Sequence, residues 1–103
     1  IPTGLIFDIP DGYCMKLYSR SGLSVKQNIM LVNGVGIIDS DYVKELFVPL
    51  VNVGIGTKTI YNGDRVAQAE IVPVFSRMTF GKIIGGAPKQ KTDRVGGFGS
   101  TGI

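Results

Sequence analysis

Apolar residues in this chain alternate with polar ones far more often than they recur at helical spacing, and turn-forming residues interrupt every longer stretch. Fifteen glycines and five prolines are spread over 103 residues. In a helix interior, glycine costs about 1 kcal/mol and proline about 3 kcal/mol relative to alanine, so an amphipathic helix of ordinary length does not fit. Alternation of period two is the pattern of half-buried strands. The sequence therefore predicts an all-β fold.

Short strands are predicted wherever this alternation runs between turn-forming residues. They cover residues 5–9, 13–18, 29–32, 35–38, 46–53, 57–61 and 65–74. The sequence Pro10-Asp11-Gly12 predicts a hairpin between the first two strands, because proline presets φ and glycine tolerates a positive φ. Asn33-Gly34 and Asn62-Gly63 predict two further turns. Strands at this spacing favour a sandwich, a barrel or a jelly roll.

The chain is long enough for one small domain and is rich in apolar residues for that size. It is 44% hydrophobic with a mean hydropathy of +0.24, although a domain this small buries only somewhat over ~60% of its unfolded surface. This excess of apolar residues over what one small domain can bury predicts an oligomer. No stretch approaches the ~20 apolar residues of a membrane span, and no signal-peptide pattern is present. We therefore expect a soluble protein of the cytoplasm, or of the host cytoplasm if its source is a virus.

The residue types present limit the chemistry. Histidine is absent and Cys14 is the single cysteine, which excludes imidazole-based zinc sites and Ser/His or Cys/His nucleophilic pairs. Catalysis would then depend on carboxylates, guanidinium groups and backbone amides. The net charge is +3, with basic residues gathered near the C-terminus. That segment is either a solvated tail or an anion-binding arm.

The C-terminal segment contains Gly97-Phe98-Gly99-Ser100-Thr101-Gly102, a match to the GxGxxG pattern. A dinucleotide-binding fold needs a strand before this pattern and a helix after it, and no helix follows here. A Walker A loop is excluded because Gly-Lys-Ser/Thr does not occur. Glycines still allow backbone N–H groups to converge on an anion, and the Ser100 and Thr101 hydroxyls add donors. A flexible tail is the alternative, although Phe98 could cover a flat ligand.

Two other polar segments follow predicted strands. Ser19-Arg20-Ser21-Gly22 offers a guanidinium and hydroxyls, a set suited to phosphate oxygens, although a polar turn would explain it about as well. Asp39 lies at the tip of two apolar strands, three residues before Tyr42. An aspartate at such a tip is more often a turn former than a catalytic group.

Taken in order, these segments resemble the sequence boxes of the trimeric dUTPase family over nearly the whole chain. Residues 19–23 resemble its second box, 33–42 its third, 63–68 its fourth and 94–102 its fifth. There are departures. The first box, with an aspartate on an early strand, would precede Ile1, which is not a methionine and is consistent with a fragment. Ser19 stands where proline is frequent, Lys44 where glycine is common, and the fifth box is one residue short after Arg94.

The resemblance implies a jelly-roll-like β-barrel or sandwich assembled as a homotrimer. Residues 1–80 would form the barrel core, without its first strands, and residues 81–103 a flexible Gly-rich arm that closes over the active site. The implied activity is hydrolysis of dUTP to dUMP and pyrophosphate. Mg²⁺ would be held by the substrate phosphates and water, with no protein ligand to the metal. No nucleic-acid or membrane partner is implied.

The resemblance also implies roles for individual residues. Asp39 would orient and deprotonate the attacking water. The second and fourth boxes would come from one subunit, the third from a neighbour and the arm from the last. The phosphate-binding residues would be Arg20, Ser21, Gly22, Gln68, Arg94, Gly99, Ser100 and Thr101. The base and sugar would be bound by Asn33, Gly36, Tyr42 and Phe98, with the ring of Phe98 stacked on uracil and Tyr42 excluding a ribose 2′-hydroxyl.

Three other functions are compatible with parts of this pattern. A dCTP deaminase shares similar boxes but needs a glutamate three residues before the position of Asn52, where this chain has Pro49. A non-catalytic nucleotide-binding or regulatory protein with a dUTPase fold would explain the missing first box and the shortened fifth one. A structural jelly-roll subunit would not require the nucleotide boxes at all.

Overall fold

The structure, a computed structural model, describes residues 1–75 and 79–97 and is mostly β, with one short helix. Its elements in chain order are β1 (Tyr13–Tyr18), α1 (Ser21–Gln27), β2 (Ile29–Leu31), β3 (Gly36–Ile38), β4 (Leu50–Asn52) and β5 (Gln68–Pro73). They form two antiparallel sheets, one in the order β3-β1-β5 and one that pairs β2 with β4. Among the described residues, no helix is long and apolar enough to cross a membrane.

The core lies between the two sheets and the N-terminal segment. Successive side chains of a strand point to opposite faces, so Met15 and Leu17 of β1 face the core while Lys16 faces away. Each fully buried side chain of this kind stabilises the fold by about 1.5–3 kcal/mol. The core cluster is Ile9, Met15, Leu17, Leu31, Leu46 and Val48.

The hairpin predicted from residues 5–9 and 13–18 is wrong, although β1 itself forms as predicted. Residues 5–9 are all described and form no strand, since both edges of β1 are occupied by β3 and β5. The N-terminal segment pairs instead with residues 46–48. The Leu46 amide donates to the Leu5 carbonyl at 2.8 Å, and the Val48 amide donates to the Ile1 carbonyl at 2.9 Å.

The helix α1 was not predicted from the sequence. It has seven residues, includes Gly22 and buries none of its side chains. Asn28 ends it in the left-handed conformation, with φ 59° and ψ 33°, a conformation that asparagine adopts more readily than most residues. A helix this short gains little from propensity, and its ends must therefore be held by the strands on either side.

The Asn33-Gly34 turn forms but does not close a hairpin. The Gly34 amide donates to the Leu31 carbonyl at 3.2 Å, with Gly34 at φ 73°. Because β2 pairs with β4 while β3 pairs with β1, the turn carries the chain from one sheet to the other. The predicted strand at 46–53 shortens to β4, and residues 57–61, all described, form an exposed loop rather than the predicted strand. The Asn62-Gly63 turn is confirmed, with the Asp64 amide 3.0 Å from the Tyr61 carbonyl.

Much apolar surface stays uncovered in the isolated chain. Ile37, Phe47, Val53 and Ile55 are each more than half exposed. The described part of the C-terminal segment, residues 79–97, is exposed throughout and contains neither helix nor strand.

Candidate functional site

The residues of the second box lie between the end of β1 and the first turn of α1. Arg20 and Gly22 line a cavity of 520 Å³ together with Thr59, Tyr61 and Arg65. Two guanidinium groups and two hydroxyls are donors that suit phosphate oxygens, because arginine can pair with two oxygens at once. Asp64 also lines the cavity, and its carboxylate accepts a hydrogen bond from the Tyr61 amide at 2.8 Å. The cavity is suited to an anion. Ser21 lies in the first turn of α1 and is exposed.

Gln68 is joined to the second box by a direct hydrogen bond. Gln68 pairs with Tyr18 at the end of β1, and its side-chain amide donates to the Ser19 carbonyl at 2.8 Å. It lines a neighbouring, more apolar cavity of 180 Å³ rather than the larger one. The structure thus brings the predicted phosphate-binding residues of the second and fourth boxes together in one chain.

Asp39 follows β3 and lines a different cavity. This cavity has a volume of 320 Å³, and its walls include Gly12, Tyr13, Asp41 and Val74. The Asp39 carbonyl accepts a hydrogen bond from the Tyr42 amide at 3.1 Å. The Tyr42 hydroxyl donates to the Glu45 carbonyl at 2.7 Å, which holds the ring in one orientation beside the turn.

The strand register separates Asp39 from Gln68 within one chain. Ile38 pairs with Met15 in an antiparallel register, so Asp39 lies level with Cys14. Gln68 pairs with Tyr18, four residues further along β1. Four residues along a strand and two strand spacings across the sheet place the two backbones roughly 16 Å apart. Side chains stand roughly perpendicular to a sheet, so they do not close this distance. One chain does not bring Asp39 and Gln68 to the same phosphorus atom.

The turn predicted to read the base also has a packing role that the sequence did not reveal. Asn33 is exposed, and its carbonyl accepts the Val35 amide at 2.8 Å. Gly36 is buried, and a Cβ atom there would lie 3.2 Å from Cβ and 3.3 Å from Cδ1 of Leu17. A larger residue at Gly36 would overpack the core.

Arg94 is engaged within its own segment. Its Nε donates to the Gly96 carbonyl at 2.7 Å, and its terminal NH2 group donates to the Gly97 carbonyl at 2.9 Å. These bonds would have to break before the guanidinium could bind phosphate. The predicted ligand-binding residues Phe98, Gly99, Ser100 and Thr101 lie outside the described residues.

Two features beside the second box were missed by sequence reasoning. Tyr18 donates a hydrogen bond of 2.6 Å to Glu70 on the facing strand. This bond to a carboxylate raises the pKa of the Tyr18 phenol above its ordinary value. Ser19 uses both its carbonyl and its hydroxyl to accept hydrogen bonds. For Ser19, the only signal in the sequence was that serine stands where the family frequently has proline.

The two sheets and the arginine-lined cavity define a β protein with a cavity suited to an anionic ligand. The family model described as dUTPase matches residues 1–102, and the chain belongs to the dUTPase family. It is similar to the deoxyuridine 5'-triphosphate nucleotidohydrolase of Finegoldia magna, with 44% identity over 103 residues. That match covers 99% of this chain and 69% of the relative.

Two solved structures of phage dUTPases share the fold. One is a mutant dUTPase of Staphylococcus bacteriophage 80alpha with dUpNHpp, with a TM-score of 0.66 and 26% identity, covering 99% of this chain and 74% of that one. The other is a mutant dUTPase of phage phi11 of S. aureus, in which a structural Mg(II) ion is coordinated. Its TM-score is 0.61 at 26% identity, and it covers 96% of this chain and 72% of that one.

Proposed function

We propose that this chain hydrolyses dUTP to dUMP and pyrophosphate. Membership of the dUTPase family and the identity to a named deoxyuridine 5'-triphosphate nucleotidohydrolase support this activity. The observation that carries the proposal is the joining of the second and fourth boxes by the hydrogen bond from Gln68 to Ser19. That bond sets Gln68 next to Arg20, the guanidinium on the anion-suited cavity.

In the proposed reaction, Asp39 accepts a proton from a water molecule as the water oxygen attacks the α-phosphorus. The new bond joins the water oxygen to phosphorus, and the bond from phosphorus to the bridging oxygen of pyrophosphate breaks. Arg20, Ser21 and Gly22 hold the phosphate chain, and Gln68 holds the α-phosphate. Positioning and charge stabilisation supply most of the rate, since a carboxylate is a weak base.

The side chains on the cavity suit Mg²⁺ that is bound by the substrate phosphates rather than by protein ligands. Arg20 and Arg65 on the cavity bind anions and not cations, so the phosphates they hold would carry the metal, which retains water ligands. When bound, Mg²⁺ would neutralise charge on the phosphates. The structural Mg(II) ion coordinated in the phage phi11 dUTPase supports a metal in the family.

The remaining residues of the third and fifth boxes are proposed to select and enclose the nucleotide. The turn from Asn33 to Gly36 forms hydrogen bonds with the edge of uracil. Cytosine has the reverse pattern of donors and acceptors on that edge, so the turn rejects it. Tyr42 packs on the deoxyribose, and Phe98 stacks on uracil. The β- and γ-phosphates are clamped by the arm residues Arg94, Gly99, Ser100 and Thr101.

We further propose that the protein is a homotrimer of jelly-roll subunits with shared active sites. The register supports shared sites, because Asp39 and Gln68 lie roughly 16 Å apart in one chain. The exposed apolar side chains support assembly. Residues 1–80 form the subunit core and residues 81–103 the arm. The substrate is a free nucleotide, so we place the protein in the cytoplasm without a nucleic-acid or membrane partner.

Incubating the full-length protein with dUTP and Mg²⁺ should release one pyrophosphate for each dUMP formed. Pyrophosphate is followed by a coupled assay, with dCTP and UTP as control substrates. Binding of dUTP without pyrophosphate release would instead support the non-catalytic, regulatory function. Release of ammonia from dCTP would support the deaminase.

Active sites shared between subunits predict how assemblies that contain two different inactive variants behave. Arg20→Ala and Asp39→Asn should each be nearly inactive alone, whereas co-expression of both variants should restore about one quarter of the parent activity. If the two residues of a site come from different subunits, each is native in half of the randomly assembled sites. Both are then native in about one quarter of the sites. If both residues came from one subunit, no mixed site would contain both, and activity would not return.

A further inference from the structure

Ser19, in the second box, is hydrogen-bonded to Gln68 of the fourth box and to Leu31, two residues before the third box. It lies between the end of β1 at Tyr18 and the start of α1 at Ser21. Its carbonyl accepts the hydrogen bond from the Gln68 side chain at 2.8 Å. Its hydroxyl accepts a hydrogen bond from the Leu31 backbone amide at 2.9 Å, across twelve residues of sequence. The two hydrogen bonds therefore use both the backbone carbonyl and the side-chain hydroxyl of Ser19.

The bonds continue from Leu31 into the turn of the third box. The Leu31 carbonyl accepts the Gly34 amide at 3.2 Å. Three hydrogen bonds therefore link Gln68 to Ser19, Ser19 to Leu31, and Leu31 to the Asn33-Gly34 turn. Leu31 is the most buried core residue, 1% exposed, so its amide would have few chances to find a solvent partner if the serine hydroxyl were removed.

The same bond to Leu31 closes the segment that contains α1. This helix buries no residue and has only seven residues, so its own packing does not fix its position. Ser19 and Leu31 are the two ends of the segment, and the bond between them limits how far Arg20, Ser21 and Gly22 can move relative to the core.

We propose that Ser19 is a positioning residue, which holds the phosphate-binding residues 20–22 and the base-reading turn in one fixed relative position. This inference rests on the proposed function. Because the third box serves a neighbouring site in the proposed trimer, Ser19 ties the phosphate box of one site to the base-reading turn of the next. Its hydroxyl is the group that matters, since any residue would supply the carbonyl.

The test compares Ser19→Ala, Ser19→Cys and Ser19→Thr with the parent in the full-length, assembled protein. Ser19→Ala should raise KM for dUTP about tenfold, the scale of one lost buried hydrogen bond, with a much smaller change in kcat. Ser19→Thr keeps the hydroxyl and should restore KM. Ser19→Cys keeps the volume but replaces the hydroxyl with a weak acceptor, so its KM should lie between the two. Hydrogen exchange at the Leu31 amide should be faster in Ser19→Ala.

The matched control is Ser24→Ala on the same segment. The Ser24 hydroxyl is 3.4 Å from the Ser21 carbonyl, a long contact, and its removal should leave KM near the parent value. An unchanged KM in Ser19→Ala, no rescue by Ser19→Thr, or an equal rise in Ser24→Ala would overturn the proposal. A parent protein that releases no pyrophosphate would instead refute the proposed function, and faster exchange at Leu31 would still report on the hydrogen bond.

Discussion

Replacing Asp39 with asparagine is expected to lower kcat for dUTP by about 100-fold to 10,000-fold, the usual contribution of a general base. The amide retains the shape of the carboxylate but cannot accept a proton from the attacking water. The Arg20 cavity is separate from the cavity that Asp39 lines in the same chain, so the substitution should leave it unchanged. Binding of dUTP should therefore persist. Pyrophosphate release measures the first effect, and calorimetric titration with a non-hydrolysable dUTP analogue measures the second.

Asp41 provides the matched control for this variant. It lines the same cavity as Asp39 and has the same charge, so Asp41→Asn removes the same charge from the same cavity. Turnover should stay close to that of the parent in Asp41→Asn. Parent-like turnover in Asp39→Asn would show that Asp39 is not the base, and equal losses in both variants would show that the cavity needs negative charge rather than a base at one position.

Deleting residues 94–103 is expected to leave the assembly intact while activity falls on the order of a thousandfold, the scale set by removing an arginine that stabilises charge on transferred phosphate. The deletion removes Arg94 and the lid that would exclude water from the site. Assembly should survive because β5, the last strand in the described residues, ends at Pro73, and the described residues 79–97 are all exposed. Sedimentation and pyrophosphate release on the truncated protein measure the two effects.

A single substitution separates the guanidinium from the rest of the arm. Arg94→Ala should reproduce most of the loss, whereas Lys91→Ala, three residues earlier in the same exposed segment, should retain activity. If the truncated protein keeps near-parent turnover, the arm has no catalytic role. If truncation dissociates the assembly, the arm serves assembly instead.

Local patterns in the sequence were sufficient for the features that depend on neighbouring residues. Alternation in β1, the Asn62-Gly63 turn and the all-β class were predictable because side-chain alternation and positive φ are properties of a few consecutive residues. The boxes around Arg20, Asp39 and Gln68 were also recognisable, since their order along the chain is itself part of the sequence.

Pairing partners were decided only by the tertiary structure. The residue pattern of 5–9 resembles a strand as well as β1 does, but both edges of β1 were taken by segments far along the chain. The same pairing separates Asp39 from Gln68. A hydrogen bond outside both sheets joins the Ser19 hydroxyl to the Leu31 amide. Hydrogen bonds between distant segments depend on sheet register and burial, which involve the whole chain at once. The sequence by itself therefore predicted which residues are proposed to carry the chemistry, and the fold alone decided which of them lie together in one chain.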